Sequence, residues 1–334
     1  MDERPHFLTF GWWNLHNFAH YDADRTSDPR WPRLLAHYEA KRTVILTAFQ
    51  ELFADEFPDL LAVCEITREA ARDLTARLPG GYNLAVSPTY PHDDGFQVAV
   101  FYRQGKGFSP EPPLFASAVE DVAAGTRPMI PVHFTFQSHV IRFVACHWTA
   151  FDSDSSREAR ERLADVLRRD SHAFLEPEVP KPGQCRYVVI LGDLNEEPTS
   201  GIFKSRLVGR RDRESSHARH WRDTQVRRVR LYNAAWRYLG EQVAHGNPAV
   251  RGLGAAGTYF QDPHDWRTFD HLLVSSGLLG ASPPYLDEAQ TRVVPTPIMV
   301  GEDGLPRPFE PGKTRGVSDH LPIVGRLVLP EDSQ

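Results

Sequence analysis

Cysteine is scarce in this chain: three residues among 334, Cys64, Cys146 and Cys185. An odd, widely spaced set, with two members inside apolar strand-like runs, does not make a disulfide framework. The thiols are therefore read as free and buried, in a reducing compartment. Lysine is scarce too, with only Lys41, Lys106, Lys181, Lys204 and Lys313. Positive charge is carried almost entirely by arginine, a bias that genomic base composition accounts for. No apolar run approaches the roughly 18 residues needed to span a bilayer. The start, Met1 to His6, lacks the basic-then-apolar pattern of a signal peptide. A soluble, cytoplasmic protein without a membrane partner is expected. The net charge of −6 excludes a uniformly basic nucleic-acid coat. Repeats, low-complexity tracts and a dividing linker are all missing. Residues 1–334 thus read as one domain, with an Arg-rich insertion at about 204–230.

What is present is a series of short apolar runs, each ending in a polar residue. Tyr187 to Leu191 reads as a strand buried on both faces. Gly192 would then let the backbone turn tightly. Asp193 and Asn195 follow two apart, so an extended backbone would present them side by side. Phe7 to Leu15 is a first strand carrying Asn14. Arg33 to about Phe57 has helical periodicity, broken at Arg42, and Pro58 closes it. Leu60 to Cys64 is a short strand delivering Glu65. Thr67 to Leu78 reads as a second helix. Strands are expected over Tyr82–Val86, Gly95–Tyr102, Met129–Phe136 and Val140–His147. Ser155-Ser156-Arg157-Glu158 reads as a capping box opening a helix. Tyr232, Trp236 and Leu239, with Val229, mark an amphipathic helix. Thr268 to Ser275 is a strand with Asp270-His271, and Ile323 to Leu329 is the last strand. The irregular alternation of strands and helices implies an α+β sandwich.

The strand ends carry the chemistry: Asn14, Glu65, His147, Asp193, Asn195, Asp270, Asp319 and His320. Several carboxylates in one cleft repel unless a hard cation neutralises them. Carboxylate and amide oxygens suit Mg²⁺ or Mn²⁺. The cysteines are too scattered for a zinc site. Two histidines beside such a site can act as base and acid. Together these groups suit hydrolysis of a phosphate ester. His271 is read as a local structural partner rather than a substrate contact.

Residues 204–230 hold ten basic residues against three acidic ones. Such a run is either a solvated surface or a phosphate-facing patch. On the second reading Arg210, Arg211 and Arg213 would bind substrate.

The ordered set Trp13-Asn14-Leu15, Leu61-Ala62-Val63-Cys64-Glu65, His147, Gly192-Asp193-Leu194-Asn195, Phe269-Asp270-His271 and Ser318-Asp319-His320-Leu321-Pro322 resembles the endonuclease/exonuclease/phosphatase superfamily, which includes DNase I. The resemblance implies a four-layer α/β/β/α sandwich with its site at one end of two sheets. It implies that Glu65 is the main metal ligand, with Asn14 and Asp319 near the ion. His320, oriented by Asp270, would be the general base or would position the water. Asp193 and Asn195 would orient the nucleophile and hold the phosphate, and His147 would assist the leaving oxygen. Asp93 or Asp94 could pair with His147. The chain departs from the family at Cys64, where Gln is common.

The leading expectation is a Mg²⁺-dependent (or Mn²⁺-dependent) phosphodiester hydrolase, a nuclease acting on DNA or RNA with little sequence specificity and so with nucleic acid as its partner. The alternatives are a phosphatase or phosphodiesterase for a small or lipid phosphate, and a catalytically inactive binding module.

Overall fold

The computed structural model describes residues 6–19, 30–54, 56–88, 96–114, 128–150, 154–179, 181–217, 230–240, 255–261, 265–313 and 315–331. The chain begins with β1 (His6–Phe18), α1 (Trp31–Phe53), β2 (Leu60–Ile66), α2 (Arg68–Thr75), β3 (Tyr82–Val86) and β4 (Gln97–Arg103). It continues through β5 (Phe108–Pro110), β6 (Ile130–Phe136), β7 (His139–His147), α3 (Asp154–Leu175) and β8 (Cys185–Asp193). Next come β9 (Gly209–Arg210), α4 (Arg213–His217), β10 (Leu231–Asn233), β11 (Tyr259–Gln261), β12 (Asp265–Arg267) and β13 (Asp270–Ser275). The last strands are β14 (Tyr285–Leu286), β15 (Arg292–Val293) and β16 (Ile323–Leu329).

Two seven-stranded sheets form the body. One has the order β14-β16-β1-β2-β4-β3, with β15 also on β16, and the other has the order β5-β6-β7-β8-β13-β10-β9. Side-chain alternation assigns each strand face to its layer. On β8, Val189 and Leu191 join the core between the sheets, whereas Val188 and Ile190 join the core under α3. On β7, Phe143 and Ala145 face the other sheet, and Val144 and Cys146 face α3. Phe10 meets Phe143 across the seam, ring centroids 5.6 Å apart. Helix α1 covers the outer face of the first sheet through Tyr38, Ile45 and Phe49. Leu163 and Leu167 of α3 cover the second sheet. This is the expected four-layer α/β/β/α sandwich.

Several local expectations need correction. Gly192 does not turn the chain; it lies inside β8. A Cβ there would sit 2.5 Å from the Cys146 carbonyl oxygen, so glycine permits the close approach of β7 and β8. Helix α1 starts at Trp31, with Pro32 in its first turn, and ends at Phe53, where Ala54 adopts φ 42°. Helix α3 begins at Asp154, which puts Ser155 in the first turn rather than at the cap. The helix expected around Tyr232 is instead β10 followed by a five-residue 3-10 turn, Ala234–Tyr238, capped by the Asn233 side chain. The short apolar run there fits either state by periodicity alone, and pairing with β13 decides it. Cys64 and Cys146 are buried, but Cys185 is exposed, and all three are free. Among the described residues no helix is long and apolar enough to cross a membrane.

Candidate active site

Register puts three polar residues in one row. His147 pairs with Asp193 across β7 and β8, and Asp193 pairs with Asp270 across β8 and β13. All three share the parity of the seam-facing core residues, so all three point between the sheets. His271 has the opposite parity and packs against Phe203 on the α3 side, ring centroids 4.5 Å apart. Its Nε2–H donates to the Glu196 carbonyl at 2.7 Å, and Nδ1 accepts from the Asn233 amide at 3.1 Å. Burial pushes His271 down to about 4, so it is a neutral core residue, as the sequence reading favoured.

The other sheet closes the site from across the seam. Trp12 and Asn14 lie two apart on β1 and share a face. The Trp12 indole donates to Asp270 Oδ1 at 2.7 Å. The Asn14 amide donates to Glu65 Oε1 at 3.0 Å and to Asp193 Oδ2 at 3.1 Å. Its own oxygen accepts from His16 N–H at 2.9 Å. In this arrangement Asn14 ties two carboxylates together. The 318–320 segment comes in from just before β16. Ser318 Oγ donates to the Asn14 carbonyl at 2.7 Å, and the Trp13 indole donates to the His320 carbonyl at 2.9 Å.

His320 donates from Nδ1 to Asp270 Oδ2 at 2.7 Å, and its Nε2 stands 3.7 Å from Asp193 Oδ2. His147 Nε2 lies 4.0 Å from the same Asp193 oxygen and 3.9 Å from Glu65 Oε1. Asp319 Oδ1 is 2.9 Å from His16 Nδ1. The structure thus brings Asn14, Glu65, His147, Asp193, Asp270, Asp319 and His320 to one end of the two sheets. Asn195 comes close but not side by side with Asp193. It adopts φ 48°, its N–H donates to Asp193 Oδ1 at 3.0 Å, and its amide donates to the Trp148 carbonyl at 3.0 Å. Asn195 therefore fixes the exit of β8 against the exit of β7.

Backbone strain gathers here. Among the described residues seven non-glycine residues have positive φ, and four of them, His16, Asn17, Glu65 and Asn195, belong to this site. Such conformations persist where surrounding contacts over-determine them, and they cluster at functional sites.

The electrostatics follow from burial and crowding. Burial pushes Asp193 up to about 7, against the pull of His320. Burial alone would lower His320, but Asp270 and Asp193 outweigh it and hold the imidazole protonated, up to about 10. Burial raises Glu65 and Asp319, yet neighbours outweigh it in both. His147 and Asn14 hold Glu65 below the ordinary range, and His16 and His320 do so for Asp319.

Asp193, Asp270 and His320 place one donor atom each within 4.8 Å of one another. That trio is a poor cation cage, because both Asp270 oxygens already accept hydrogen bonds. Glu65 and Asp319 keep partly exposed side chains, at 22% and 18%. Hard carboxylate oxygens open to solvent fit Mg²⁺ or Mn²⁺.

The sequence of the Endonuclease/Exonuclease/phosphatase family matches residues 11–320, which include every strand end in this cluster. The chain belongs to that family. Its members are metal-dependent phosphoric ester hydrolases. Among solved structures, the chain is similar to the Bacteroides thetaiotaomicron mannosyl-6-phosphatase Bt3783, at 18% identity, TM-score 0.57, covering 96% of this chain and 100% of that one. It is similar to an endonuclease/exonuclease/phosphatase family protein of the same organism, at 17% identity, TM-score 0.57, covering 99% and 98%. It is also similar to D. rerio TDP2 complexed with a single-strand DNA product, at 15% identity, TM-score 0.54, covering 96% and 98%. These likenesses establish the shared fold. No curated protein matches the chain by sequence.

Arg210, Arg211 and Arg213 are not brought to the cluster. Arg210 pairs through Tyr232 to the level of Val274, four residues along β13 from Asp270, roughly 13 Å at strand spacing. Arg211 lies over the Trp236 ring, 5.3 Å from its centroid. Arg213 donates to Glu288 Oε2 at 2.6 Å and to the Leu279 carbonyl at 2.7 Å. Residues 218–229 of the basic run lie outside the described residues, as do Asp93 and Asp94. The sequence points to the stretch from His16, with Asn17, as a candidate border of a site, but not to Trp12 or Lys41. Trp12 carries a sequence signal, two residues before Asn14 on the same strand. Tyr259 of β11 was missed too; its ring packs 4.6 Å from that of His320.

Proposed function

We propose that the protein is a Mg²⁺- or Mn²⁺-dependent phosphodiester hydrolase that cleaves nucleic acid with little sequence specificity. The observation that carries this reading is the convergence of His320 and His147 on one oxygen of Asp193, at 3.7 and 4.0 Å, beside the Asn14–Glu65 pair. Glu65 and Asp319 would hold the cation, with Asn14 keeping Glu65 against Asp193. Once bound, such an ion neutralises the phosphate and polarises its oxygen.

The chain's own groups divide the remaining work. Asp193, raised toward neutrality by burial, accepts the proton of the attacking water. Asp270 keeps His320 an imidazolium whose Nε2–H donates to the phosphate, where negative charge builds up in the transition state. On this reading His320 acts electrostatically, in place of the general-base or water-positioning role that the resemblance implies. His147, on the other side of Asp193, donates toward the leaving oxygen. Asn195 holds the Asp193 loop in place through the Trp148 carbonyl.

The β11–β12 hairpin beside His320 carries Tyr259, Phe260 and Trp266, with Phe260 and Trp266 packed edge to face at 5.6 Å. Of these, Tyr259 lies against His320, ring centroids 4.6 Å apart, and an aromatic ring next to the reacting phosphate supports a substrate with a flat base attached. The TDP2 likeness to a DNA-product complex points the same way, and the mannosyl-6-phosphatase likeness supports the alternative of a small phosphate monoester.

The test is a substrate panel. Purified protein with Mg²⁺ or Mn²⁺ is offered plasmid, single-stranded DNA, RNA, a generic aryl phosphodiester and a sugar phosphate. His320→Ala serves as the control. Cleavage of polynucleotide that stops with excess chelator is expected. Turnover of the sugar phosphate alone would transfer the reading to the phosphatase alternative. Full activity in excess chelator would overturn the metal dependence.

A further inference from the structure

Lys41 stands where an aliphatic residue belongs. On α1 it falls between Tyr38 and Ile45 at helical spacing, so it sits within the stripe that packs on the first sheet. It is 4% exposed. Burying a lysine costs several kcal/mol unless its charge is met, and the packing of α1 alone gives no reason for it. The ammonium instead reaches the last residues of β1 and donates to the His16 carbonyl. Glu65 and Asp319 are the carboxylates whose charge it feels.

The His16 carbonyl belongs to an irregular turn within β1, where its register with β2 shifts between Asn14 and Phe18, and the metal end of the site depends on it. His16 and Asn17 are both left-handed, with φ 49° and 58°. That strained pair aims three groups at the cluster. His16 N–H donates to Asn14 Oδ1 at 2.9 Å, Asn17 N–H donates to Glu65 Oε2 at 2.9 Å, and the His16 imidazole meets Asp319 Oδ1 at 2.9 Å. Two consecutive residues in this region do not hold themselves, so an external anchor is needed.

We propose that Lys41 is a positioning residue for the divalent cation: its hydrogen bond to the His16 carbonyl locks the His16–Asn17 turn, and the turn in turn holds Asn14, Glu65 and Asp319 in their ion-binding geometry. This rests on the placement of the cation at Glu65 and Asp319. Lys41 touches neither the substrate nor the reacting atoms. Its hydrogen bond, not its charge, is what the site uses. Removing a positive charge beside two carboxylates would by itself tighten cation binding, so the two roles predict opposite signs.

The experiment is a Mn²⁺ titration of the substrate-free protein, followed by the electron paramagnetic resonance signal of the free ion. The parent chain, Glu65→Gln, Lys41→Met and Lys41→Gln are compared, with folding checked by circular dichroism. Glu65→Gln should abolish the site. Lys41→Met, which fills the stripe with an apolar side chain, should weaken Mn²⁺ binding about 10- to 100-fold, the range typical of groups that orient metal ligands. Lys41→Gln, which keeps a donor without the charge, should recover most of that loss. If Lys41→Met does not fold, Lys41→Ala takes its place with the same expected result. Binding as tight as the parent's in Lys41→Met, or tighter, would overturn the proposal. So would a Lys41→Gln variant as weak as Lys41→Met. A parent that binds no Mn²⁺, or whose binding survives Glu65→Gln, overturns the placement of the cation and this inference with it.

Discussion

On the proposed mechanism, Asp193 and His320 concentrate the chemistry of the site in two side chains. Each is buried among groups that shift it away from its ordinary protonation range, and each shift suits a distinct task. Asp193→Ala and His320→Ala should each lower kcat/KM by roughly 10³-fold or more while leaving the circular dichroism spectrum unchanged. Near-parental turnover in either would show that the reacting groups lie elsewhere. His271, next to Asp270, makes the opposite case. The folded protein keeps it neutral down to about pH 4, whereas the unfolded chain takes up its proton near 6.5. Between those values the unfolded state binds more protons, so stability rises with pH. The contribution is complete above pH 6.5 and is lost as pH falls toward 4, by about 3 kcal/mol. Urea unfolding of the parent and His271→Gln at pH 7 and pH 4.5 measures this. The balance should move toward the variant at low pH, and a pH-independent difference would refute it. The contrast between Asp270 and His271 was legible in the sequence only in part. Both sit at the start of one strand, and which one faces the seam depends on a parity that only the sheet partners fix.

At the level of elements, the strand ends were legible because buried strands announce themselves as aliphatic runs. Tyr82–Val86 and Ile323–Leu329 emerge with the expected bounds. The short pieces β9 to β12, β14 and β15 did not announce themselves, since two- or three-residue strands exist only through their partners. The same limit hid Lys41 and Trp12, whose roles depend on contacts with distant parts of the chain. Arg160 of α3 is a further case. It is 1% exposed, and its guanidinium donates to Glu196 Oε1 at 2.7 Å and to the Thr149 and Ala150 carbonyls at 3.2 and 2.8 Å. One side chain therefore pins the exits of β7 and β8, the two strands that deliver His147 and Asp193. Arg160→Ala leaves the buried Glu196 carboxylate without this cation and should cost about 3–5 kcal/mol of stability. Urea denaturation reads this directly, and a loss below about 1 kcal/mol would mean the pair is solvated after all.

Across the whole molecule, charge is arranged differently from what composition suggests. The basic run reads as a candidate phosphate track, yet Arg206, Arg211, Arg213 and Arg230 are engaged within the protein. Arg206 pairs with Glu161 and Asp165 of α3, and Arg213 pairs with Glu288. Composition counts charges but not their partners: of the three arginines expected to bind substrate, Arg211 lies over Trp236 and Arg213 is held by Glu288 and the Leu279 carbonyl. Replacing Arg210 and Arg211 by Gln should leave the salt dependence of polynucleotide binding unchanged. A slope of log affinity against log salt that falls by about one unit or more per arginine removed would restore them as phosphate contacts.

The middle of the chain builds one sheet, whereas the other joins its beginning to its end, with β16 lying between β14 and β1 and pairing His6 with Leu329. A ribosome therefore makes the His147–Asp193–Asp270 row long before it makes His320 and β16. A chain still being synthesised carries that row without His320 and without the strand that pairs with β1. The full cluster is therefore complete only once the 318–320 segment and β16 have been made.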